Sequence, residues 1–407
     1  MRILLVAHNA YTEHTSGAAR SVRTIMEWLR DGGHDCRAVT TGRFDQSPGL
    51  TIEAHHADLA ARFAIETRRE TGSGTRPILR YTLNGVAVTA VETRHAGRLD
   101  PDPEGDSQFA AEIADALAEE PDLVFAYGHH LLVHAGLKFA REQGARTIYT
   151  VRAWGYDQRS WFENADRVLV NSGYAARHYA AKPGVRADWL PSPFVWREIL
   201  APVETRGFVT FVNPSPHKGL LPFARLAEMV GRRRPDIPLL IVHSSGNAAL
   251  LNDGLGVDLA RHGNIMVSPP VSDPRQFLGL TRILLVPSVF EEPFGRVAAE
   301  AMINGIPPIV SDRGGLPETV GDGGIVLNVP AWLTQRATTL PSEAEMEPWF
   351  DALVRLWDDK AEYARASTAA ATEGRRLYGE TMLRARYLAW FESPPPYPPV
   401  FLDTASG

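Results

Sequence analysis

The densest chemistry in the chain lies in Glu292-Pro293-Phe294-Gly295-Arg296-Val297-Ala298-Ala299-Glu300, shortly after the apolar run Ile283 to Val286. An apolar run, a short loop and a proline-started amphipathic stretch read as strand, turn and helix, because proline's fixed φ and missing N–H suit the first helical turn. The backbone N–H groups around Phe294 to Val297 would gather at a helix N-terminus, where the dipole favours an anion such as phosphate. Glu300, about one turn further on, only accepts hydrogen bonds when ionised. It can therefore take two hydroxyl donors at once, as the diol of a ribose presents them. Glu292, in the loop ahead of the helix, would address another part of the same ligand. The simpler reading is that both acids complement the helix dipole or form a solvated face.

Two neighbouring segments weigh against that simpler reading. Downstream, Ile309-Val310-Ser311-Asp312-Arg313-Gly314-Gly315-Leu316-Pro317-Glu318 again runs from a strand through glycines into a proline-started helix. It predicts a second backbone anion cradle on the same side of the sheet. Upstream, the run Phe208 to Val212 leads into Asn213-Pro214-Ser215-Pro216-His217-Lys218-Gly219, which sets a lysine in a strand-to-helix loop. A compact ammonium suits neutralisation of a diphosphate. Only four of the 42 basic residues are lysine (Lys138, Lys182, Lys218 and Lys360), so a lysine at this place is less readily dismissed as a surface residue.

In the first half, Arg152 ends the run Thr147 to Val151, where it could meet an acceptor or a phosphate; a surface ion pair is the alternative. Trp154, Tyr156, Trp161, Trp189 and Trp196 gather nearby. Aromatic faces stack on sugars, but such residues are more often core, and core is the favoured reading. Asp100-Pro101-Asp102 has the form of a metal-binding Asp-x-Asp pair, yet its proline-rich surroundings read as a loop. Arg232-Arg233-Arg234 closes a helical stretch, where cations complement the dipole. The single cysteine, Cys36, leaves no zinc-type Cys/His spacing and no disulfide within the chain, so no metal and a reducing compartment are expected.

These segments need a scaffold. A chain of 407 residues, 44% hydrophobic, predicts two domains. With a net charge of -6 and no concentrated basic face, nucleic-acid binding is not expected. No run approaches the roughly 20 apolar residues a membrane span needs, and the N-terminal apolar stretch is too short for a signal peptide. A cytoplasmic protein is expected, with peripheral membrane contact open and the oligomeric state undetermined.

Short apolar runs alternate with amphipathic stretches throughout, the pattern of helices covering mainly parallel sheets. In the first half this predicts a strand over Ile3 to Val6, a helix from Ala18 to Leu29 and a hairpin around Asn84-Gly85. A loop over Leu99 to Asp106, a helix from Phe109 to Leu117 and a strand from Leu123 to Tyr127 follow. Pro191, Pro193 and Pro202 place the domain boundary near residue 200. Beyond it the alternation restarts at Phe208 and ends in a long helix over Glu373 to Phe391. The expected domains are residues 1–200, 201–375, and a final helix with a proline-rich tail over 376–407. Ligands of open α/β sheets bind beyond the carboxyl ends of the strands, so a cleft between two such halves is the expected site.

At these residues the sequence resembles the family 4 retaining glycosyltransferases of the GT-B fold, with two facing Rossmann-like domains. The E-x7-E signature of the family is matched by Glu292 to Glu300 with Pro293-Phe294-Gly295 inside it, and the GG-x-P-E element by Gly314 to Glu318. The lysine-glycine pair is matched by Lys218-Gly219, and a strand ending in Asn-Ser before a helix by Ala165 to Ser172. The resemblance covers most of the chain, is most specific over residues 208–327 and is weaker before residue 120. It implies a donor site of Asn213, Lys218, Gly219, Val271, Glu292, Pro293, Phe294, Gly295, Arg296, Val297 and Glu300. In it Glu292 contacts donor-sugar hydroxyls, Glu300 the ribose, and the base sits near Val271. It implies a loop at Gly17 and Arg20, with Arg152, facing acceptor or phosphate. A residue near the reacting sugar is implied as well, His129, with Tyr127 and His130 as alternatives for that slot.

Two departures from the family stand out. No arginine precedes Lys218 in the Val212-Asn213-Pro214 region, and Ser16-Gly17-Ala18-Ala19-Arg20 has one glycine where the family carries adjacent glycines. The resemblance implies metal-independent transfer of a sugar from a nucleotide-diphosphate donor, UDP- or GDP-linked, with no cofactor beyond that co-substrate. The acceptor hydroxyl would belong to a saccharide, lipid or small molecule. A sugar-nucleotide epimerase of the same fold and a non-catalytic binding relative remain alternatives. A nucleotide-dependent oxidoreductase is more distant, because G-x-G-x-x-G is absent after Val6.

Overall fold

The computed structural model describes residues 1–13, 16–43, 57, 60–61, 67–71, 76–93, 102–202, 206–243, 259–271, 273–394 and 400–402. The chain divides into two compact units: Met1–Asn171 with Ala176–Pro193 and Arg384–Gly407, and Ser172–Ala175 with Phe194–Leu383. No helix among the described residues is long and apolar enough to cross a membrane.

The strands of the first unit are β1 (Arg2–Ala7), β2 (Asp35–Thr41), β3 (Thr67–Thr71), β4 (Pro77–Leu83), β5 (Val86–Val91), β6 (Leu123–Tyr127), β7 (Arg146–Thr150), β8 (Arg167–Val170) and β9 (Asp188–Trp189). They form one sheet in the order β3-β4-β5-β2-β1-β6-β7-β8-β9. Its centre is parallel, and β1 and β6 are buried almost throughout, so they read as continuous apolar runs rather than alternating ones. The hairpin read at Asn84-Gly85 is present: Leu83 pairs with Val86, and both turn residues have positive φ, 48° and 80°. Strand order reverses between β1 and β6, and ligands of such sheets bind outside the carboxyl ends of the strands at that point. His8 follows β1 there, and His129 and His130 follow β6.

Helix α1 (Gly17–Asp31) starts where Ser16 Oγ accepts from the Ala19 N–H at 3.4 Å. It buries Val22, Ile25, Met26 and Leu29 at helical spacing. Helix α2 (Pro103–Ala118) begins six residues earlier than expected, and the loop read over Leu99 to Asp106 is corrected from Pro103 on. The reason is chemical: Asp102 accepts from the Gly105 N–H at 3.2 Å as an N-cap and Pro103 opens the first turn, so what read as loop composition is a helix start. Residues 94–101, with Asp100 and Pro101, lie outside the described residues. Helices α3 (Leu131–Glu142) and α4 (Gly173–Ala181) follow.

The second unit is an all-parallel sheet of β10 (Phe208–Val212), β11 (Leu239–Val242), β12 (Ile265–Ser268), β13 (Thr281–Val286), β14 (Pro308–Ser311) and β15 (Ile325–Leu327), ordered β12-β11-β10-β13-β14-β15. Successive residues face opposite sides. Val209, Phe211, Ile283, Leu285 and Ile309 enter one core with Phe223 and Trp349, while Leu240, Val242, Leu284, Val286 and Val310 enter another with Phe294 and Met302. The covering helices are α5 (Leu220–Arg233), α6 (Arg275–Leu278), α7 (Arg296–Ile303), α8 (Leu316–Val320), α9 (Glu343–Asp358) and α10 (Lys360–Tyr378). The arginine triplet pins α5 to α9: Arg232 to Glu343 at 2.5 Å, Arg233 to Glu347 at 2.6 Å, and Arg234 to Asp358 at 2.7 Å. The final long helix is two helices, α10 and α11 (Glu380–Glu392), because Gly379 leaves helical backbone (ψ 118°).

Candidate functional site

Strand order in the second unit also reverses, between β10 and β13, and the loops that follow these two strands meet. After β10, Asn213 takes a left-handed backbone, φ 65°, and its N–H donates to Val242 O at 2.9 Å. The turn Pro216–Lys218 then ends on Gly219. Gly219 has φ 91°, and a Cβ on it would lie 1.9 Å from the Pro287 carbonyl oxygen, so the loop needs glycine twice over. Lys218 Nζ donates to Glu292 Oε1 at 2.6 Å, and Ser288 Oγ donates to the same oxygen at 2.8 Å. Glu292 is 5% exposed while the Lys218 side chain is 30% exposed, so the acid is fixed and the ammonium reaches solvent. Burial and the Lys218 charge hold the His217 imidazole below its usual pKa against the pull of Glu292.

The loop around Glu292 is braced through its carbonyls. Gly315 N–H donates to Glu292 O at 2.7 Å, Ser172 Oγ to Pro293 O at 2.5 Å, and Thr319 Oγ1 to Phe294 O at 2.5 Å. Ser311 Oγ holds Ser288 O at 2.7 Å. A Cβ on Gly314 would lie 2.4 Å from Glu292 O. These contacts correct the reading of Gly314-Gly315 as a second anion cradle: the glycines let one backbone pack on another, and the Gly315 N–H is spent on it.

Gly295, φ 98°, opens α7, and no side chain caps that helix, so its dipole meets no side-chain acceptor. Phe294 is 4% exposed and packs near the rings of Phe194 and Tyr378, so its side chain is core. Glu300, four residues into α7, is 4% exposed and accepts from Arg296 Nη2 at 3.2 Å. That burial removes the solvated-face reading. The Arg296 guanidinium lies 4.4 Å from the Phe194 ring centroid. Val297 and Val271 are half-buried and pack against the same core cluster.

The remaining expected residues lie in the first unit. Gly17 is the first residue of α1, and the Arg20 N–H donates to Ser16 O at 3.0 Å. The His129 ring stacks on Tyr156 at 3.6 Å and meets the edge of Trp161. His130 turns elsewhere: its Nδ1 accepts from the Leu132 N–H at 3.4 Å as the cap of α3, and its Nε2 lies 3.3 Å from Asp106. It also stacks on His8 at 3.7 Å with 5° between planes. His8, Asp106 and His130 bring three ligand-type atoms within 4.8 Å of one another. The stacked imidazoles hold their in-plane lone pairs parallel rather than converging on one point. Burial, then His130, lowers the His8 pKa to about 3. Arg152 is 6% exposed; Nε donates to Thr150 Oγ1 at 3.2 Å and Nη2 to Tyr387 Oη at 3.4 Å. The surface-ion-pair alternative for it is therefore replaced by burial.

Sequence reasoning missed Ser288, Ser172 and Thr319 as supports of the Glu292 loop, and the His8–His130–Asp106 group. Ser288 had a signal, since it precedes Glu292 by four residues in one loop. The others depend on long-range contacts that spacing does not show.

Residues 195–335 match the family described as Glycosyl transferases group 1. A D-inositol 3-phosphate glycosyltransferase of Corynebacterium glutamicum is 30% identical over 191 residues, covering 43% of this chain and 43% of that protein. One from Nocardiopsis dassonvillei is 25% identical over 356 residues, covering 70% of this chain and 81% of the relative. The match spans under half of the Corynebacterium protein and 33% of a similar one from Paenarthrobacter aurescens. Among solved structures, Anabaena HepE in complex with UDP and glucose superposes with a TM-score of 0.66 at 15% identity, covering 97% of this chain and 100% of that one. Sucrose-phosphate synthase from Thermosynechococcus elongatus gives 0.66 at 16%, covering 96% and 98%. The family resemblance and the GT-B fold read from the sequence are both borne out.

Proposed function

The chain is a GT-B protein carrying a group 1 glycosyltransferase domain, and from that premise we propose that it transfers a sugar from a nucleotide-diphosphate donor to an acceptor hydroxyl with retention at the anomeric carbon. The observation that carries the reading is the Lys218–Glu292 pair at the reversal of strand order, with Glu300 buried one helix further on. A donor diphosphate laid on the uncapped start of α7 draws Lys218 toward it. The ammonium then stabilises the charge that develops as the sugar departs. Glu292, kept in place by Ser288 and its carbonyl braces, accepts from donor-sugar hydroxyls, and Glu300 accepts from the ribose diol. The acceptor hydroxyl attacks the face that the diphosphate leaves, and the leaving oxygen takes its proton. The complexes of HepE with UDP and with UDP-glucose support a uridine diphosphate donor over a guanosine one. A cytoplasmic, metal-independent enzyme completes the reading.

Titration calorimetry with UDP and GDP tests it. UDP is expected to bind, and Lys218→Ala and Glu300→Ala each to weaken it by about ten- to hundredfold, the cost of a charge-assisted bond, with the fold intact. Donor turnover followed by NMR should give a product of unchanged anomeric configuration. Wild-type affinity for UDP in both variants would remove the site, and an inverted product the mechanism.

A further inference from the structure

Arg206 and Arg282 are the least explained charges in the second unit. Arg206 stands just ahead of β10, where the Gly207 and Phe208 N–H groups donate to Leu280 O at 3.0 and 3.1 Å, and Arg282 is an early residue of β13. Phe208 lies opposite Thr281, so the two arginines share the amino ends of neighbouring central strands. Both are half-buried, and the Nε of each is sealed off without a hydrogen-bond partner. Among the described residues no carboxylate pairs with either.

One tyrosine joins them. The Arg282 guanidinium lies 4.6 Å from the Tyr363 ring centroid and 4.7 Å from that of Trp357, and its Nη2 donates to Trp357 O at 3.1 Å. Tyr363 Oη donates to Arg282 O at 3.3 Å, and the same hydroxyl is the group that Arg206 meets. These rings orient the guanidinium groups without neutralising them. The acids at the junction of α9 and α10 are committed elsewhere: Asp358 pairs with Arg234, Asp359 caps α10, and Glu362 pairs with Arg355. Two cations gathered on one tyrosine repel each other until an anion joins them.

We propose that Arg206 and Arg282 bind a small tetrahedral oxyanion, inorganic phosphate or the phosphate of a monoester, at the amino ends of β10 and β13. Planar guanidinium groups match phosphate oxygens in pairs, and the Tyr363 and Trp357 contacts hold Arg282 in place for it. Lys218 and Glu292 follow the carboxyl ends of the same two strands. The 5 residues of β10 put about 16 Å of strand between the two places. This is a second site, separate from the donor site, and it does not draw on the transferase reading.

Thermal melting in potassium phosphate against potassium chloride of equal ionic strength tests the assignment, with methyl phosphate as the ester. Wild-type protein is expected to gain about 3 °C from saturating phosphate or methyl phosphate. Arg206→Met should lose most of that gain, and Arg206→Lys, which keeps the charge without the planar fork, should keep a smaller one. Phosphate can also settle at the donor site, so the series is repeated in Lys218→Ala, where the Arg206-dependent gain should persist. If Arg206→Met fails to fold, Arg206→Lys and Arg282→Lys decide, each expected to bind phosphate about tenfold more weakly than wild type. A larger gain from methyl phosphate assigns a phosphorylated metabolite, and a larger gain from phosphate assigns the free ion. Equal gains in wild type and the arginine variants, a gain that only Lys218→Ala removes, or no gain at all would overturn the site.

Discussion

Glu292 is held by two donors of different kinds, and they should fail differently. In the proposed function Lys218 has a second use, on the donor diphosphate, whereas Ser288 is assigned only the orienting of the carboxylate. Ser288→Ala is therefore expected to lower kcat by about tenfold, the worth of a hydrogen bond to a charged group, while the Kd for UDP stays within about twofold. Steady-state kinetics beside calorimetry checks it, and a fall in UDP affinity as large as the fall in kcat would contradict the orienting role. If Lys218 supplies the countercharge of the diphosphate, turnover should survive saturating EDTA, and loss of activity restored by added divalent cation would show that a metal shares the task. His8 belongs to the residue scale too. Its pKa of about 3 lies below the 6.5 of an unfolded histidine, so the unfolded chain binds the extra proton and acid favours unfolding. Between pH 6.5 and 5 this should cost about 2 kcal/mol of stability. Urea unfolding at the two pH values should show a smaller difference in His8→Gln; an equal one would assign the acid sensitivity elsewhere.

At the scale of elements, glycines and caps decide where the site residues stand. Gly219→Ala sets a Cβ against the Pro287 carbonyl at a left-handed backbone, and is expected to cost more than about 2 kcal/mol of stability in denaturant melts. Asp102→Ala removes the cap of α2 and the 2.6 Å partner of the buried Arg76, so a loss of about 2 kcal/mol is expected. A loss under about 0.5 kcal/mol would show that Glu104, 3.5 Å from Arg76, takes over. The elements also show what the sequence could and could not disclose. The strand Leu123–Tyr127 was legible to the residue, because a strand covered on both faces is a continuous apolar run between polar ends. The start of α2 was not, since Asp and Pro signal a loop and a helix cap equally well. Glu292, Glu300 and Lys218 were legible as candidates because each stands in, or one turn beyond, a strand-to-helix loop, while the 74-residue span that joins Lys218 to Glu292 was not. The role of Gly314-Gly315 was not, because a glycine that receives a phosphate and one that admits a neighbouring backbone look alike in sequence.

Over the whole molecule, each unit has its own sheet and the same reversal of strand order. The chain does not divide between them at one point, however, because Ser172–Ala175, from the first half of the sequence, belong with the second unit. Within that unit Ser172 Oγ grips Pro293 O, and the Tyr174 N–H donates to Glu318 at 2.9 Å. Anyone recombining the two units among related chains would cut near residue 193 and carry those four residues with the wrong parent. A hybrid that takes residues 172–175 from the parent of its second unit should be more stable in denaturant melts than one that does not, so the useful seam for swapping follows the packing around Pro293 rather than the linear map of the gene.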